Sequence, residues 1–177
     1  MTELRPNVFV SKNHPRIIFR GALDSLEADI LEAQLLAAEQ GEEFFRNALE
    51  EVLSFVRDIM SAEVNGRAFT VDSLFGLTLE QLHEQSHRVK DFFGFHHPVP
   101  SHTMGALPLR LNTLRTRVRE TEINAVKAFS SGPEQNREDI VHAMNRLSSA
   151  VYWLFCRSLV PPITDPSDRT GFPDIQN

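Results

Sequence analysis

Between Leu114 and Glu122 the chain reads LRTRVRETE, three arginines and two glutamates in nine residues. Residues spaced three and four apart share a helix face, so Arg115, Arg119 and Glu122 align along one edge of any helix formed here. Leu107, Leu111, Leu114, Val118, Ala125 and Phe129 make the apolar stripe of the same helix. On a wheel of about 100° per residue the three ionisable groups lie roughly 50–110° from the centre of that stripe. They sit neither in the core nor fully in solvent. Such a row is either an internal salt-bridge ladder or a pocket for an anion.

Other residues that can do chemistry lie on neighbouring segments. Asp24 falls on a stripe with Ala28, Leu31 and Leu35, where a carboxylate serves either as a helix N-cap or as partner to an arginine. Asn145 lies off the core stripe of its helix, on a side shared with Ser149, Tyr152 and Cys156, and Arg146 beside it allows anion binding as the alternative to a solvated amide. Glu80-x-x-His83, Glu84-x-x-His87 and Asp139-x-x-His142 have the spacing of di-iron bundles, yet the first two share one helix where two helices are needed. His83 and His87 have the spacing for a divalent ion, with exposed helix histidines as the simpler reading. No Walker loop and no Gly-x-Ser-x-Gly elbow occurs.

The elements that must position these groups are helices. Strong helix formers run through RGALDSLEADILEAQLLAAEQ, with Leu26, Ile30, Ala33 and Ala37 on one face and Ala28, Leu31, Leu35 and Ala38 on another. A helix apolar on two sides belongs in a bundle interior or at a subunit interface. A second helix follows Gly41 and ends at the Asn65-Gly66 turn. A third begins at the capping-box pair Thr78 and Gln81 and should end near Lys90. DFFGFHHPVPSHTMGALP then reads as a long structured loop. A fourth helix spans about Leu107 to Phe129, and a fifth follows SSGP, with Pro133 near its start. NVFV is an ambiguous strand. The expected fold is all-α, a five-helix bundle over residues 16–160, with an irregular segment at 1–15 and a loosely held Pro-rich tail at 161–177.

The bulk numbers agree with one domain. A chain of 177 residues needs no disulfide support, and the single cysteine, Cys156, excludes a disulfide framework and favours a reducing, cytoplasmic setting. A net charge of −6 argues against a nucleic-acid binder. No apolar run reaches signal-peptide or membrane-spanning length, so a soluble protein without membrane association is expected.

Taken together, PRIIFRGALDSLEA, LRTRVRETE and MNRLSSAVYWLF resemble, in order, three motifs of the ATP:cob(I)alamin adenosyltransferases. LHEQSH, HHPVPSH and NRLSSAVY are most similar to the ethanolamine-utilisation branch, over about Lys12 to Val160. Glu120 stands where the family pattern has a second arginine, Ser149 where it has an aspartate, and VSKNHPR where propanediol-type relatives have a Thr-Lys-Thr-Gly-Asp-x-Gly loop.

The resemblance implies transfer of the 5′-deoxyadenosyl group of ATP to cob(I)alamin. It implies a homotrimer with ATP and corrinoid held between subunits, and Mg2+ as cofactor. By position, Asp24 and Arg115 would form a salt bridge shaping the pocket. Lys12, Arg16, Arg119 and Asn145 would bind ATP, and Glu122 would orient the arginines or hold the magnesium. Phe93 or Phe95 would lie against the lower face of the corrin, with His96 and His97 as loop supports. The resemblance further implies a cobalamin reductase or a cobalamin-dependent ammonia-lyase as partner, and a bacterial microcompartment as setting. The alternatives are a non-catalytic corrinoid or nucleotide carrier on the same bundle and a metal-binding helical bundle.

Overall fold

In the computed structural model, which describes residues 1–129 and 136–160, the fold is mainly helical. Its long helices are α1 (Pro15–Glu39), α2 (Glu43–Asn65), α5 (Ala106–Phe129) and α6 (Glu138–Ser158). Between α2 and α5 lie the shorter α3 (Leu79–His87), the single-turn α4 (Val89–Phe93) and a 3-10 turn at His102–Met104. α1 packs on α2 and α5, α5 on α6, and α3 on α6.

α1 starts earlier than the sequence suggests. Pro15 occupies the first turn, where its missing N–H costs nothing, and the His14 side chain accepts from the Arg16 amide at 3.2 Å. Asp24 is therefore mid-helix, which removes the N-cap reading. The two apolar faces divide as the pattern requires. Leu26, Ile30, Ala33 and Ala37 are fully buried, whereas Leu31 and Leu35 remain 45% and 60% exposed. Asp24 and Ala28 share that uncovered face.

Gly66 closes α2 at φ 68°, a left-handed value that suits glycine. The capping box of α3 forms in full: Gln81 N donates to Thr78 Oγ1 at 3.1 Å and Thr78 N to Gln81 Oε1 at 2.9 Å. The helix expected to reach Lys90 instead stops at His87. Arg88 leaves helical geometry, and α4 begins a new turn that claims Asp91 to Phe93 from the expected loop.

Two small hairpins correct the expectation of an irregular N-terminus and no firm strand. β1 (Thr2–Arg5) pairs antiparallel with β2 (Val8–Val10), around a turn in which Asn7 has φ 65° and its amide donates to Glu3 Oε1. β3 (Ser73–Leu74) pairs with β4 (Leu77–Thr78) through Phe75 and Gly76, both at positive φ, the requirement of a type I′ turn. Phe75 is an unusual residue for that geometry. It is held by its amide donating to Glu51 Oε2 at 2.7 Å and by its ring stacking on Trp153. The SSGP linker, Pro133 and the 161–177 tail lie outside the described residues.

Candidate active-site groove

The edge of α5 that carries Arg115, Arg119 and Glu122 opens onto a groove walled by α3 and α6. Two adjoining cavities of about 350 and 400 Å3 run along it and share His87, Arg119, Ser148 and Ser149. The larger one reaches Glu122 and Asn145, and the other Arg115, Tyr152 and His97. Residues far apart in sequence meet here because α5 and α6 pack side by side and α3 lies on α6.

The arginines of α5 divide by face, and the division answers whether they form a ladder or an anion site. Arg110 and Arg117, seven residues apart, both reach Asp29 of α1, at 3.2 and 2.8 Å. Those two are structural. Arg115 and Arg119 have no carboxylate partner among the described residues, whereas Arg16, Arg20, Arg88 and Arg146 each have one. Arg115 donates from Nε to Asn112 Oδ1 at 3.3 Å and lies 5.6 Å over the Tyr152 ring. Arg119 is exposed in the groove. Two unneutralised guanidinium forks one turn apart suit a polyanion, phosphate above all.

Asn145 joins them through a chain of polar contacts. Its Nδ2 donates to Glu122 Oε1 at 2.8 Å, and its Oδ1 accepts from Arg146 Nη1 at 2.9 Å. Arg146 is in turn held by Glu80 of α3, at 2.9 and 3.2 Å, and that hydrogen bond keeps the Glu80 carboxyl below its ordinary pKa. The amide is thus oriented from both ends.

The α3 wall carries the histidine pair. His83 Nδ1 lies 3.0 Å from Ser149 Oγ, and its ring is 4.3 Å from that of His87. Burial, with Arg146 nearby, pushes the His83 pKa down and favours the neutral ring. No cluster of three or more metal-ligating side chains exists among the described residues. Glu122 is the carboxylate that lines the larger cavity.

At the other end, the loop after α4 folds onto α6. His97 stacks on Tyr152 with 15° between ring planes, and its Nδ1 lies 2.7 Å from the phenol oxygen. Burial raises the Tyr152 pKa, so the phenol stays protonated, and its oxygen and His97 Nδ1 share one hydrogen bond. His97, first read as a loop support, thus forms part of the groove wall.

The remaining nominated residues lie elsewhere. Arg16 is buried against Glu63, with Nε to Oε1 at 2.6 Å, and it faces Phe129, so its guanidinium is committed to the core. Lys12 is exposed without a partner among the described residues. Asp24 is exposed and makes no contact with Arg115 within the chain. Phe93 is buried, 5.8 Å from Trp153 and 6.0 Å from Phe95. Phe95 is half-buried, and neither ring lines the groove. Sequence reasoning gave His87 only as half of a possible divalent-ion pair with His83, treated His97 as a loop support, and assigned Tyr152 no part in the site. The signal for Tyr152 was present, since it follows Asn145 by seven residues and Ser149 by three on one helix face.

The family described as cobalamin adenosyltransferase matches residues 1–158. The corrinoid adenosyltransferase EutT of Salmonella typhimurium LT2 is 36% identical over 166 residues, covering 93% of this chain and 61% of the relative. The protein of the same name from Escherichia coli K12 matches with the same identity and coverage. The chain therefore spans 61% of the length of these relatives. No solved structure matches it.

Proposed function

The chain belongs to the cobalamin adenosyltransferase family, and from that premise we propose that it transfers the 5′-deoxyadenosyl group of ATP to cob(I)alamin, giving adenosylcobalamin. The observation that carries the reading is the pair of carboxylate-free arginines, Arg115 and Arg119, facing one groove with the oriented amide of Asn145.

In this reaction the substrate itself brings the nucleophile. The electron pair of Co(I) attacks the ribose 5′ carbon, the C5′–O5′ bond breaks, and its electrons leave with the polyphosphate. The protein needs no nucleophilic side chain. Its work is to orient the 5′ carbon, spread the charge growing on the leaving group and keep water away. Arg119 and Asn145 hold phosphate oxygens, and Arg115 fixes the inner end of the chain. Glu122 orients Asn145 and holds the magnesium ion that accompanies ATP.

The corrinoid lies on the side of His97 and the loop after α4. Of the two phenylalanines, Phe95 is only partly buried and is the one we assign to the lower face of the corrin, where it offers cobalt no lone pair.

The working form is a homotrimer with the site completed between copies. Among the described residues Asp24 has no cation partner and Arg115 no carboxylate. Asp24 also lies on the uncovered apolar face of α1, with Leu31 and Leu35. A salt bridge between the two residues is consequently one made between neighbouring copies. The partners in this reading are a cobalamin reductase upstream and a cobalamin-dependent ammonia-lyase downstream, in an ethanolamine-utilisation setting that includes a microcompartment. Among the described residues no helix is long and apolar enough to cross a membrane.

The test is an anaerobic assay with Mg-ATP and chemically reduced cobalamin, following the absorbance of the Co–C bond. Formation of adenosylcobalamin is expected. Tight binding of both substrates without product would overturn the reading in favour of a carrier.

A further inference from the structure

His87 is where the two cavities of the groove meet, on the α3 wall. Its Nδ1 lies 2.9 Å from the carbonyl oxygen of His83 and 3.3 Å from Ser86 Oγ, and Ser86 itself donates to that same carbonyl at 2.7 Å. A carbonyl accepts and never donates, so Nδ1 carries the hydrogen. In the neutral ring Nε2 then holds the lone pair. Nε2 has no protein partner among the described residues. The His83 ring, itself held to Ser149, packs 4.3 Å away and limits how His87 can turn.

Besides His87 Nε2, which sits on the α3 wall where both cavities meet, the groove offers as acceptors the hydroxyls of Ser148, Ser149 and Tyr152 and the second oxygen of Glu122. Arg115 and Arg119 can only donate. The amide oxygen of Asn145 is occupied by Arg146, and one oxygen of Glu122 by Asn145. A nucleoside triphosphate needs both kinds of partner: donors for its phosphate oxygens and acceptors for its sugar hydroxyls. Arg119 borders the same two cavities as His87, so a polyphosphate held on the arginines brings the adjoining sugar toward the α3 wall.

We propose that His87 Nε2 accepts a hydrogen bond from a ribose hydroxyl of the bound nucleotide and so sets the preference for ribonucleotide over deoxyribonucleotide. The proposal rests on the reading of ATP as substrate. It gives α3 a part in the site beyond packing on α6.

The experiment compares ATP, 2′-deoxy-ATP and 3′-deoxy-ATP as substrates for wild type, His87→Ala and His87→Gln under anaerobic assay conditions, with circular dichroism to confirm folding. Wild type should prefer ATP over at least one deoxy analogue by about tenfold in kcat/KM, the scale of one neutral hydrogen bond. His87→Ala should bring that ratio close to one by losing activity on ATP, and on any analogue that keeps the contacted hydroxyl, but not on the analogue that lacks it. His87→Gln, whose side-chain carbonyl can still accept, should retain part of it. Equal losses on all three nucleotides in His87→Ala, or a wild type that does not discriminate, overturns the proposal; equal losses are what a phosphate contact or a purely structural histidine would produce. A wild type without turnover on any nucleotide would instead refute the proposed activity, and the same ratios read from calorimetric binding would still decide the role of His87.

Discussion

Asn145 on α6 donates to Glu122 on α5 at 2.8 Å and accepts from Arg146 at 2.9 Å, so the amide is fixed before any ligand arrives. The second Nδ2 hydrogen stays free for a phosphate oxygen. Asn145→Ala should raise KM for ATP by about ten- to a hundredfold, the scale of about 1.5–3 kcal/mol for a charge-assisted contact, and leave corrinoid binding nearly unchanged. Asn145→Asp should be worse than Asn145→Ala, because it sets a second carboxylate against Glu122. Steady-state kinetics with each substrate varied in turn checks both, and equal effects on the two substrates would contradict the assignment.

Arg119 and Arg16 were both read as ATP ligands, and the structure separates them. Arg119→Ala should raise KM for ATP and leave the melting temperature near that of wild type, since the side chain is exposed and unpaired. Arg16→Ala strips one cation from Glu63, which is fully buried between Arg16 and Arg20. Breaking such a buried pair costs about 3–5 kcal/mol. Thermal melting should therefore single out Arg16→Ala, and nucleotide titration should single out Arg119→Ala.

His83 gives a pH dependence with a definite sign. Its folded pKa lies below the ordinary histidine value of 6.5, chiefly through burial. The unfolded chain thus binds the proton more readily, and stability is lost as pH falls through about 6.5 toward the folded value. His83→Asn should flatten this part of the acid limb in denaturant titrations run from pH 7.5 to 5. An unchanged limb would mean that the ring is solvated in the folded state.

How far the fold was legible follows from where the forces lie. The stripe on α5 and the inner face of α1 could be read because helical period and burial coincide there. Thr78 and Gln81 announced their capping box by spacing alone. The stop at His87 carried no comparable signal, since neither proline nor glycine stands at Arg88. The β3–β4 hairpin was hidden because two-residue strands show no alternation and Phe75 is not a residue that advertises positive φ. That Arg115, Arg119, Glu122 and Asn145 gather at one groove was legible because their spacing sets them along two helix edges. The pairing of Arg16 with Glu63 was not legible, because a segment read by itself cannot show a partner 47 residues away. His97 was undervalued for a similar reason, its partner Tyr152 being 55 residues distant.

Phe93 and Phe95 can now be told apart by what each removal should do. Phe93→Ala empties a site packed against Trp153 and should cost about 3–5 kcal/mol of stability. Phe95→Ala should be milder in melting. Electron paramagnetic resonance of Co(II)alamin bound with ATP should show a four-coordinate signal in wild type that Phe95→Ala abolishes. Survival of that signal in Phe95→Ala would return the role to another residue of the loop.

The strongest test of a site shared between copies uses two defective variants. Asp24→Ala and Arg115→Ala should each lose most activity, because each would remove half of the proposed salt bridge between neighbours. In a closed homotrimer every site would take Asp24 from one copy and Arg115 from the next. Co-expressed in equal amounts, the two variants would then build about a quarter of their sites from an intact Asp24 and an intact Arg115, by random assortment in a cyclic assembly. Activity should recover to about that fraction. Leu35→Glu, which buries a charge in the same uncovered face of α1, should prevent assembly and leave a monomer by light scattering, with no recovery on mixing. Were both residues to act within one chain, no mixture would contain an intact site, and zero recovery in an assembly of confirmed trimers would place the salt bridge, if any, inside the chain after all.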